Sequence, residues 1–339
     1  MTYDEIFTFE NLYLANKKCK RGKEHKKEVI EFQMSLGINL WELFYELKYN
    51  KYHIGKYHKF KIFDPKEREI EAISYRDRIV QRTLCDEYLI PLISKYLIFD
   101  NAACRVNKGS SFAIKRVKDF LIKMLKNNSR EEYFVKIDIS KFFDSINHDL
   151  LKVKLKRIVE DDDIFHFLEV LIDSYGLSSN KGLPMGNQSS QLFALLYLND
   201  IDHFIKEKLH VKNYVRYMDD FFFLASTKEK ARQHFRLVIE KIKEEDLKVN
   251  PKSQIVSFNR GIEFIGYRIH LTKSNKVVLK IRNSTKRRIL KKVKIRKNNN
   301  AKDIERTISS YQGMFKYSSS FTFKKRIKEL IKVGFKHSF

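Results

Sequence analysis

Read as hydrophobic and polar positions, the chain changes period along its length. In the N-terminal third, Leu36, Leu40, Leu43, Phe44 and Leu47 form one stripe, and Ile79, Leu84, Tyr88, Leu89 and Leu92 form another. Recurrence every three or four residues puts side chains on one face of an α-helix, so this third is expected to be mostly helical. In the middle the pattern tightens. Tyr133 to Ile139 (YFVKIDI) and Tyr214 to Ala225 (YVRYMDDFFFLA) are short aromatic and β-branched runs that predict buried strands, and Glu263 to Leu271 (EFIGYRIHL) predicts one more. Helical patterns cover Asn147 to Tyr175, Ser189 to Leu209 and Thr227 to Asp246. Strand and helix therefore alternate, as in a compact sheet with helices on one face. Near the C-terminus Ile289, Leu290 and Val293 form a narrow helical stripe, and after a break at Asn298 to Asn300 a second stripe runs through Ile304, Ile308, Tyr311 and Phe315.

Composition narrows the class. With 339 residues, 43% of them apolar, the chain can bury a sizeable core and is not a disordered basic tail. Only 11 Gly and 4 Pro punctuate it, with no linker-like stretch or repeat, which predicts one tightly joined, multi-lobed body. The 68 Lys and Arg exceed the 42 Asp and Glu to give +26, alongside 27 Phe and 17 Tyr. Such an excess points to a polyanionic partner, nucleic acid first. Eighteen of those charges lie in the last fifth, where 21 Lys and Arg face only Asp303, Glu305 and Glu329. Lys286, Arg287, Arg288, Lys291, Lys292 and Lys294 surround the narrow stripe there. They form either a nucleic-acid surface or two solvated helices in a Lys- and Asn-rich composition. No run of about 18 apolar residues occurs and the start lacks the order of a signal peptide, so a soluble, cytoplasmic protein without a membrane partner is expected. Cys19, Cys85 and Cys104 are too few and too scattered for a disulfide framework or zinc knuckle and are expected as reduced core residues.

The candidate chemistry lies where carboxylates interrupt the strands. Burying an unpaired carboxylate is costly, yet Asp138 follows sheet-forming residues and Asp219 and Asp220 sit between Tyr217 and Phe221. Two Mg2+ ions, or Mn2+ in their place, would satisfy such groups, activate a hydroxyl and stabilise a leaving pyrophosphate. Since strand side chains alternate, Asp219 is expected as the ligand and Asp220 as its support. A tight turn at Asp219 and Asp220, with Asp138 capping a helix, would account for the same string without a metal.

The order of motifs resembles the reverse transcriptase family. Tyr75 to Gln81 (YRDRIVQ) and Phe99 to Ile114 resemble its two finger motifs, Lys136 to Ile146 (KIDISKFFDSI) the palm strand with the first metal aspartate, and Gly182 to Gln191 (GLPMGNQSSQ) the loop and helix beneath the nucleotide. Tyr217 to Asp220 matches the YxDD box, Leu247 to Lys252 the motif after it and Phe264 to Ile269 the primer grip. The resemblance implies an α+β right-hand polymerase, with fingers over 1–130, a palm over 131–271 with a fingers insertion around 150–182, and a short basic helical thumb over 272–339. It implies that Asp138, Asp219 and Asp220 hold the metals with the carbonyl of Ile139, and that Lys252 protonates the departing pyrophosphate unless it is a solvated lysine on a turn. Phe143 falls at the position that excludes a ribose 2′-hydroxyl, or is an ordinary core ring beside Phe142. Arg78, Arg105 and, more weakly, Lys108 grip the triphosphate or are surface cations, while Met185, Gly186, Asn187 and Gln191 lie beneath the nucleotide. Gly266 and Tyr267 of the grip, with Lys286, Arg287, Lys291 and Lys292, are implied to contact nucleic acid.

Within the family, LPMGNQSSQ resembles reverse transcriptases of diversity-generating retroelements. Relatives from retrons and group II introns usually carry Gln where Met185 stands and Pro where Gln191 stands. The resemblance implies cDNA synthesis with errors at adenines, a structured template RNA and a small basic oligomeric accessory protein. A defence-associated reverse transcriptase is the second reading and a non-catalytic RNA-binding scaffold the third.

Overall fold

The computed structural model describes residues 1–63, 67–126, 133–175, 179–272, 274, 276–297 and 306–335. Contacts divide the chain into two compact units. The first comprises Met1–Ile98, Ile139–His203 and Lys241–Lys248, and the second Phe99–Asp138, Phe204–Glu240 and Val249–Phe339.

The first unit is mostly helical, as its spacing predicts. Helices Phe9–Lys20, Lys27–Met34 and Leu36–Lys48 bury Leu12, Val29, Leu40, Leu43 and Leu47. Ser74 starts helix Tyr75–Leu84 by accepting a bond from the Asp77 N–H at 3.1 Å, satisfying an otherwise orphaned amide. Its last turn widens into a π-turn at Cys85–Leu89 before helix Ile90–Tyr96, which carries Pro91 in its first turn. Asn147 and Asp161 cap the next helices, His148–Lys156 and Asp162–Asp173, so the expected single stretch is two helices broken at the second cap. The stretch after Ser189 is also divided, into Gln188–Tyr197, Asn199–His203 and a π-turn at Phe204–Lys208 that belongs to the second unit. One element of the first unit was absent from the helical expectation. Strands β1 (His58–Ile62) and β2 (Arg68–Ala72) form an antiparallel hairpin, with Phe60 opposite Ile70. Its alternation of charged and apolar residues has the two-residue period of a strand.

The second unit is built on a four-stranded antiparallel sheet. Strands β3 (Tyr133–Ile137), β4 (Tyr214–Tyr217), β5 (Asp220–Ala225) and β6 (Gln254–Ser257) lie in the order β4-β5-β3-β6. Phe222 and Leu224 of β5 join the cluster under helix Ser110–Lys126, whereas Phe223 packs 6.4 Å from His234 of helix Lys228–Glu244. Helices thus cover both faces, a correction to the one-sided expectation, and double coverage explains why FFFLA is a continuous apolar run. The strand expected over Glu263 to Leu271 is a hairpin: β7 (Ile262–Phe264) pairs with β8 (Tyr267–Leu271), which pairs with β9 (Val277–Ile281). Ile265 and Gly266 form its two-residue turn at φ 44° and 79°, the left-handed pair that matches strand twist.

Helix Asn283–Lys297 buries Ile289 and Val293 against Ile281, Phe323 and Ile327, with Leu290, Ile308, Tyr311 and Phe315 at the margin. Ile304 lies outside the described residues. Cys19 and Cys85 are buried, but Cys104 is exposed, which corrects its expected place in the core. Among the described residues no helix is long and apolar enough to cross a membrane.

Candidate active site

All three aspartates belong to the second unit. Asp138 follows the last residue of β3, and its backbone is held from the β6 side. Its N–H donates to Ser253 Oγ at 3.0 Å, and its carbonyl accepts from the Asn250 N–H at 2.7 Å. Asp219 does not lie in a strand. Tyr217 pairs with Asp220, so Met218 and Asp219 are the turn between β4 and β5. The tight turn and the carboxylate cluster are therefore one feature rather than alternatives. Met218 takes φ 54°, a left-handed conformation that β-carbons disfavour and that persists only where surroundings enforce it.

Arg216 supplies much of that enforcement, and its role was not read from the sequence. It is fully buried, and its Nη1 donates to the Met218 carbonyl at 2.9 Å. Its backbone is clamped by Ala102, whose N–H donates to the Arg216 carbonyl at 2.9 Å, and by the Asp100 carbonyl, which accepts from the Arg216 N–H at 3.1 Å. Asp100 is itself held by Arg116 Nε at 2.6 Å and Lys206 Nζ at 3.3 Å. Cys104, also left-handed at φ 48°, places its Sγ 4.0 Å from Met218 Sδ. A charge in YVRY looks like surface decoration in sequence because nothing local marks it as buried.

Electrostatics tie the carboxylates together. The Asp219 carboxyl is pushed up to about 6, first by burial and then by the negative charges of Asp220 and Asp138. Lys136 opposes that shift and pairs with Asp220 Oδ1 at 2.8 Å. A group of hard oxygens that raise one another's proton affinity suits a divalent cation. Among the described residues no three His, Cys, Asp or Glu side chains are closed into a ready-made cage. Mg2+ does not require one, because it keeps several waters and is held by one or two carboxylates together with substrate phosphates. The donor set fits.

The other expected residues of this unit differ in setting. Lys252 is exposed on the turn that Asn250 starts by accepting the Lys252 N–H at 3.0 Å, two residues from the bond to Asp138. Arg105 donates to the Asn101 carbonyl at 3.4 Å. Lys108 folds back onto the rings of Phe99 and Phe112, at 4.4 and 4.8 Å, and donates to the Phe99 carbonyl. Burial and Arg105 lower its ammonium to about 8. Tyr267 is 4% exposed, and its hydroxyl donates to the Met314 carbonyl at 2.9 Å. Gly266 is set by its turn, and a β-carbon there would meet Met314 Cε at 3.1 Å. In the basic helix Arg287 and Lys291 are exposed and Lys286 and Lys292 half-buried, with Lys286 5.8 Å from the Phe323 ring.

The first unit holds Ile139, Arg78, Phe143, Met185, Gly186, Asn187 and Gln191. Ile139 is buried. Arg78 is occupied at home, donating to the Ile73 carbonyl at 3.2 Å and lying 3.9 Å from Glu28. Phe143 is half-buried beside the buried Phe142, and its carbonyl accepts from the Leu183 N–H at 2.8 Å. That bond links the KFFDSI and GLPMGN segments. Ser189 donates to Gln81 Oε1 at 3.1 Å, joining GNQSSQ to YRDRIVQ. Asn187 is buried within reach of the Tyr57 hydroxyl, and Gln191 is half-buried. A β-carbon on Gly186 would come within 3.2 Å of the Glu71 carbonyl, so glycine lets the loop touch β2. Between hairpin and loop lies a cavity of about 450 Å3 lined by Met185 and Leu183, by Lys59 and Arg68, and by the carboxylates Glu67, Glu69, Glu71 and Asp144, with Lys59 paired to Glu71 at 2.5 Å. The two cations come from the hairpin that sequence reasoning passed over, and its strand-period alternation was the available signal.

The sequence model of the family described as "Reverse transcriptase (RNA-dependent DNA polymerase)" matches residues 64–269. The chain is a member of the reverse transcriptase family. Among curated relatives, this reverse transcriptase is 25% identical over 153 residues to the COX1/OXI3 intron 1 protein of Saccharomyces cerevisiae, a match covering 43% of this chain and 17% of that protein. It is 23% identical over 253 residues to Protein YkfC of Escherichia coli, covering 62% of this chain and 66% of that one. The chain therefore spans less than two thirds of either relative. Among solved structures it resembles telomerase from Candida albicans in complex with the TWJ fragment of telomeric RNA, with TM-score 0.50, 14% identity, and coverage of 87% of this chain and 64% of the other. It also resembles apo telomerase from Candida tropicalis truncated from the C-terminal domain, with TM-score 0.51, 16% identity, and coverage of 71% and 59%. The fold of this reverse transcriptase is the α+β fold of right-hand polymerases.

Proposed function

We propose that this chain is an RNA-directed DNA polymerase that makes cDNA on a template RNA by in-line attack of a primer 3′-hydroxyl on the α-phosphate of a dNTP. The observation that carries the reading is the carboxylate cluster at one end of the sheet, where Asp138 and Asp220 raise the proton affinity of Asp219. Asp138 and Asp219, with Asp220 and the Ile139 carbonyl, are the groups that would hold two Mg2+ ions, or Mn2+. Bound there, the ions supply activation of the hydroxyl and neutralisation of the leaving pyrophosphate. Arg216 fixes the turn that carries Asp219, and Lys136 balances the charge of Asp220. Lys252 is the candidate proton donor to pyrophosphate. Phe143 excludes the 2′-hydroxyl, Met185, Gly186, Asn187 and Gln191 form the floor under the nucleotide, and Arg68 joins Arg78, Arg105 and Lys108 among the triphosphate-binding candidates. We assign 1–130 to the fingers, 131–271 to the palm with its insertion around 150–182, and 272–339 to the thumb, whose Lys286, Arg287, Lys291 and Lys292 hold the template and product.

The sequence LPMGNQSSQ favours a diversity-generating retroelement, with errors at adenines and a small basic oligomeric accessory protein acting in the cytoplasm beside a structured RNA. Extension of an RNA-templated primer with Mg2+ tests the activity. The parent should extend, and Asp219→Ala with Asp220→Ala should abolish extension while RNA binding stays within about two-fold, because the carboxylates serve chemistry and the basic surfaces serve affinity. RNA binding without extension by the parent would make the chain a scaffold. A neighbouring repeat pair in the DNA that differs only at adenines supports the retroelement. An antiviral gene cluster with no such pair supports the defence enzyme.

A further inference from the structure

At the end of the sheet away from the aspartates, a second feature collects positive charge. A cavity of about 480 Å3 opens where β5 ends and helix Lys228–Glu244 begins. Asp220 and Ala225 are the two ends of β5, five residues apart, which at strand rise is about 17 Å. The cavity is therefore distinct from the carboxylate cluster of its own unit. Its lining includes Lys123 from the last turn of helix Ser110–Lys126, His210 and Lys212 from the loop before β4, Ser226, and Lys230 and His234 one helical turn apart.

Three observations point to an anion. The described residues of the lining include no Asp or Glu, and among the described residues no carboxylate lies within ion-pair distance of Lys123, Lys212 or Lys230. Cations from three separate elements therefore face one space with no neutralising carboxylate among the described residues, and such clustered charge self-repels in the absence of an anion. The loop is also built rather than loose: His210 adopts φ 52°, and Lys206, which pairs with Asp100 at 3.3 Å, donates to the Lys212 carbonyl at 3.0 Å. Finally, His234 Nδ1 is buried without a hydrogen-bond partner, and the floor is apolar, with Met124 and Leu224 only 5% and 3% exposed. A low-dielectric floor strengthens any ion pair formed above it.

We propose that this cavity binds phosphate oxygens of an RNA backbone, a second polyanion site separate from the carboxylates and from the basic C-terminal helix. Lysine contacts with phosphates carry no base specificity, so the site would hold RNA by charge and register rather than by sequence. The proposal concerns binding alone, and a failure of primer extension in the parent would leave it standing.

The test uses the full chain and the double reversal Lys212→Glu with Lys230→Glu, both exposed positions. Anisotropy with a labelled single-stranded RNA of about 40 nucleotides should show a loss on the order of ten-fold in affinity. The slope of log K against log salt should shrink by about 1.4, two contacts at about 0.7 each for single strands. Primer extension on a short template should be unchanged. Unchanged affinity and slope overturn the proposal. Acetylation rates of Lys212 and Lys230, followed by mass spectrometry, separate the sources of phosphate. Protection by the RNA but not by millimolar inorganic phosphate or AMP supports the backbone, protection by phosphate or AMP alone replaces it with a free-nucleotide site, and protection by none of them overturns it.

Discussion

At the scale of single residues, the proposed roles of Phe143 and Met185 concern selectivity rather than stability. Phe143 is half-buried, with its ring 5.6 Å from that of the buried Phe142. Phe143→Ala should admit ribonucleotides, raising rNTP incorporation relative to dNTP by on the order of ten-fold, or about 1.4 kcal/mol of discrimination. Steady-state incorporation of each nucleotide on one template measures it, and parental selectivity would return Phe143 to the core. Met185 brings a flexible thioether, a weak acceptor, to a cavity also lined by Lys59, Arg68 and the carboxylates Glu67, Glu69, Glu71 and Asp144. One net hydrogen bond is worth about 0.5 to 1.5 kcal/mol, so restoring an amide should change fidelity several-fold without stopping synthesis. Met185→Gln should lower misincorporation, most visibly opposite template adenines. Sequencing cDNA from both proteins on one RNA is the measurement, and equal error at adenine would mean that Met185 only fills space.

At the scale of elements, the turn between β4 and β5 depends on a side chain outside it. Arg216 is buried and donates to the carbonyl of the left-handed Met218. Hydrogen bonds from a charged group are worth about 1.5 to 3 kcal/mol, so Arg216→Gln should cost about that much in a urea melt. Under conditions where the variant is still folded, extension should fall at least ten-fold, since Asp219 rides on the turn. A folded variant with parental activity would show that other contacts suffice to hold it. The hairpin β1–β2 is the complementary case. Its pairing is set by alternation, yet its importance comes from Gly186, which brings the GNQSSQ loop against Glu71.

At the scale of the whole molecule, the net charge of +26 is the dominant fact, and it is divided between more than one surface. Neutralising Lys286, Arg287, Lys291 and Lys292 together should weaken RNA binding and reduce the salt slope by about 3 to 4, because each phosphate contact releases about 0.7 to 0.9 of a counterion. Titration of RNA binding at several salt concentrations checks this. An unchanged slope would return the helix Asn283–Lys297 to an ordinary solvated face. The helix can tolerate the change because Ile289 and Val293, which hold it to Ile281 and Phe323, are untouched.

The sequence by itself determined the family and the period of most elements, and it singled out three aspartates that interact electrostatically in the structure. These follow from local rules: helical stripes, strand runs, and carboxylates placed where burial would otherwise be too costly. It could not determine which side chains are buried by contacts distant in sequence. Arg216, which no local pattern marks, is among the largest fully buried side chains of the described residues, Tyr267 is 4% exposed, and Cys104, expected in the core, is exposed. The two-sided cover of β5, the left-handed turn at Met218 and the convergence of Lys123, Lys212 and Lys230 on one cavity were likewise settled by tertiary structure. The physical reason is the same in each case: periodicity reports which face of an element is apolar, whereas burial, strain and charge clustering depend on which other elements arrive at that face.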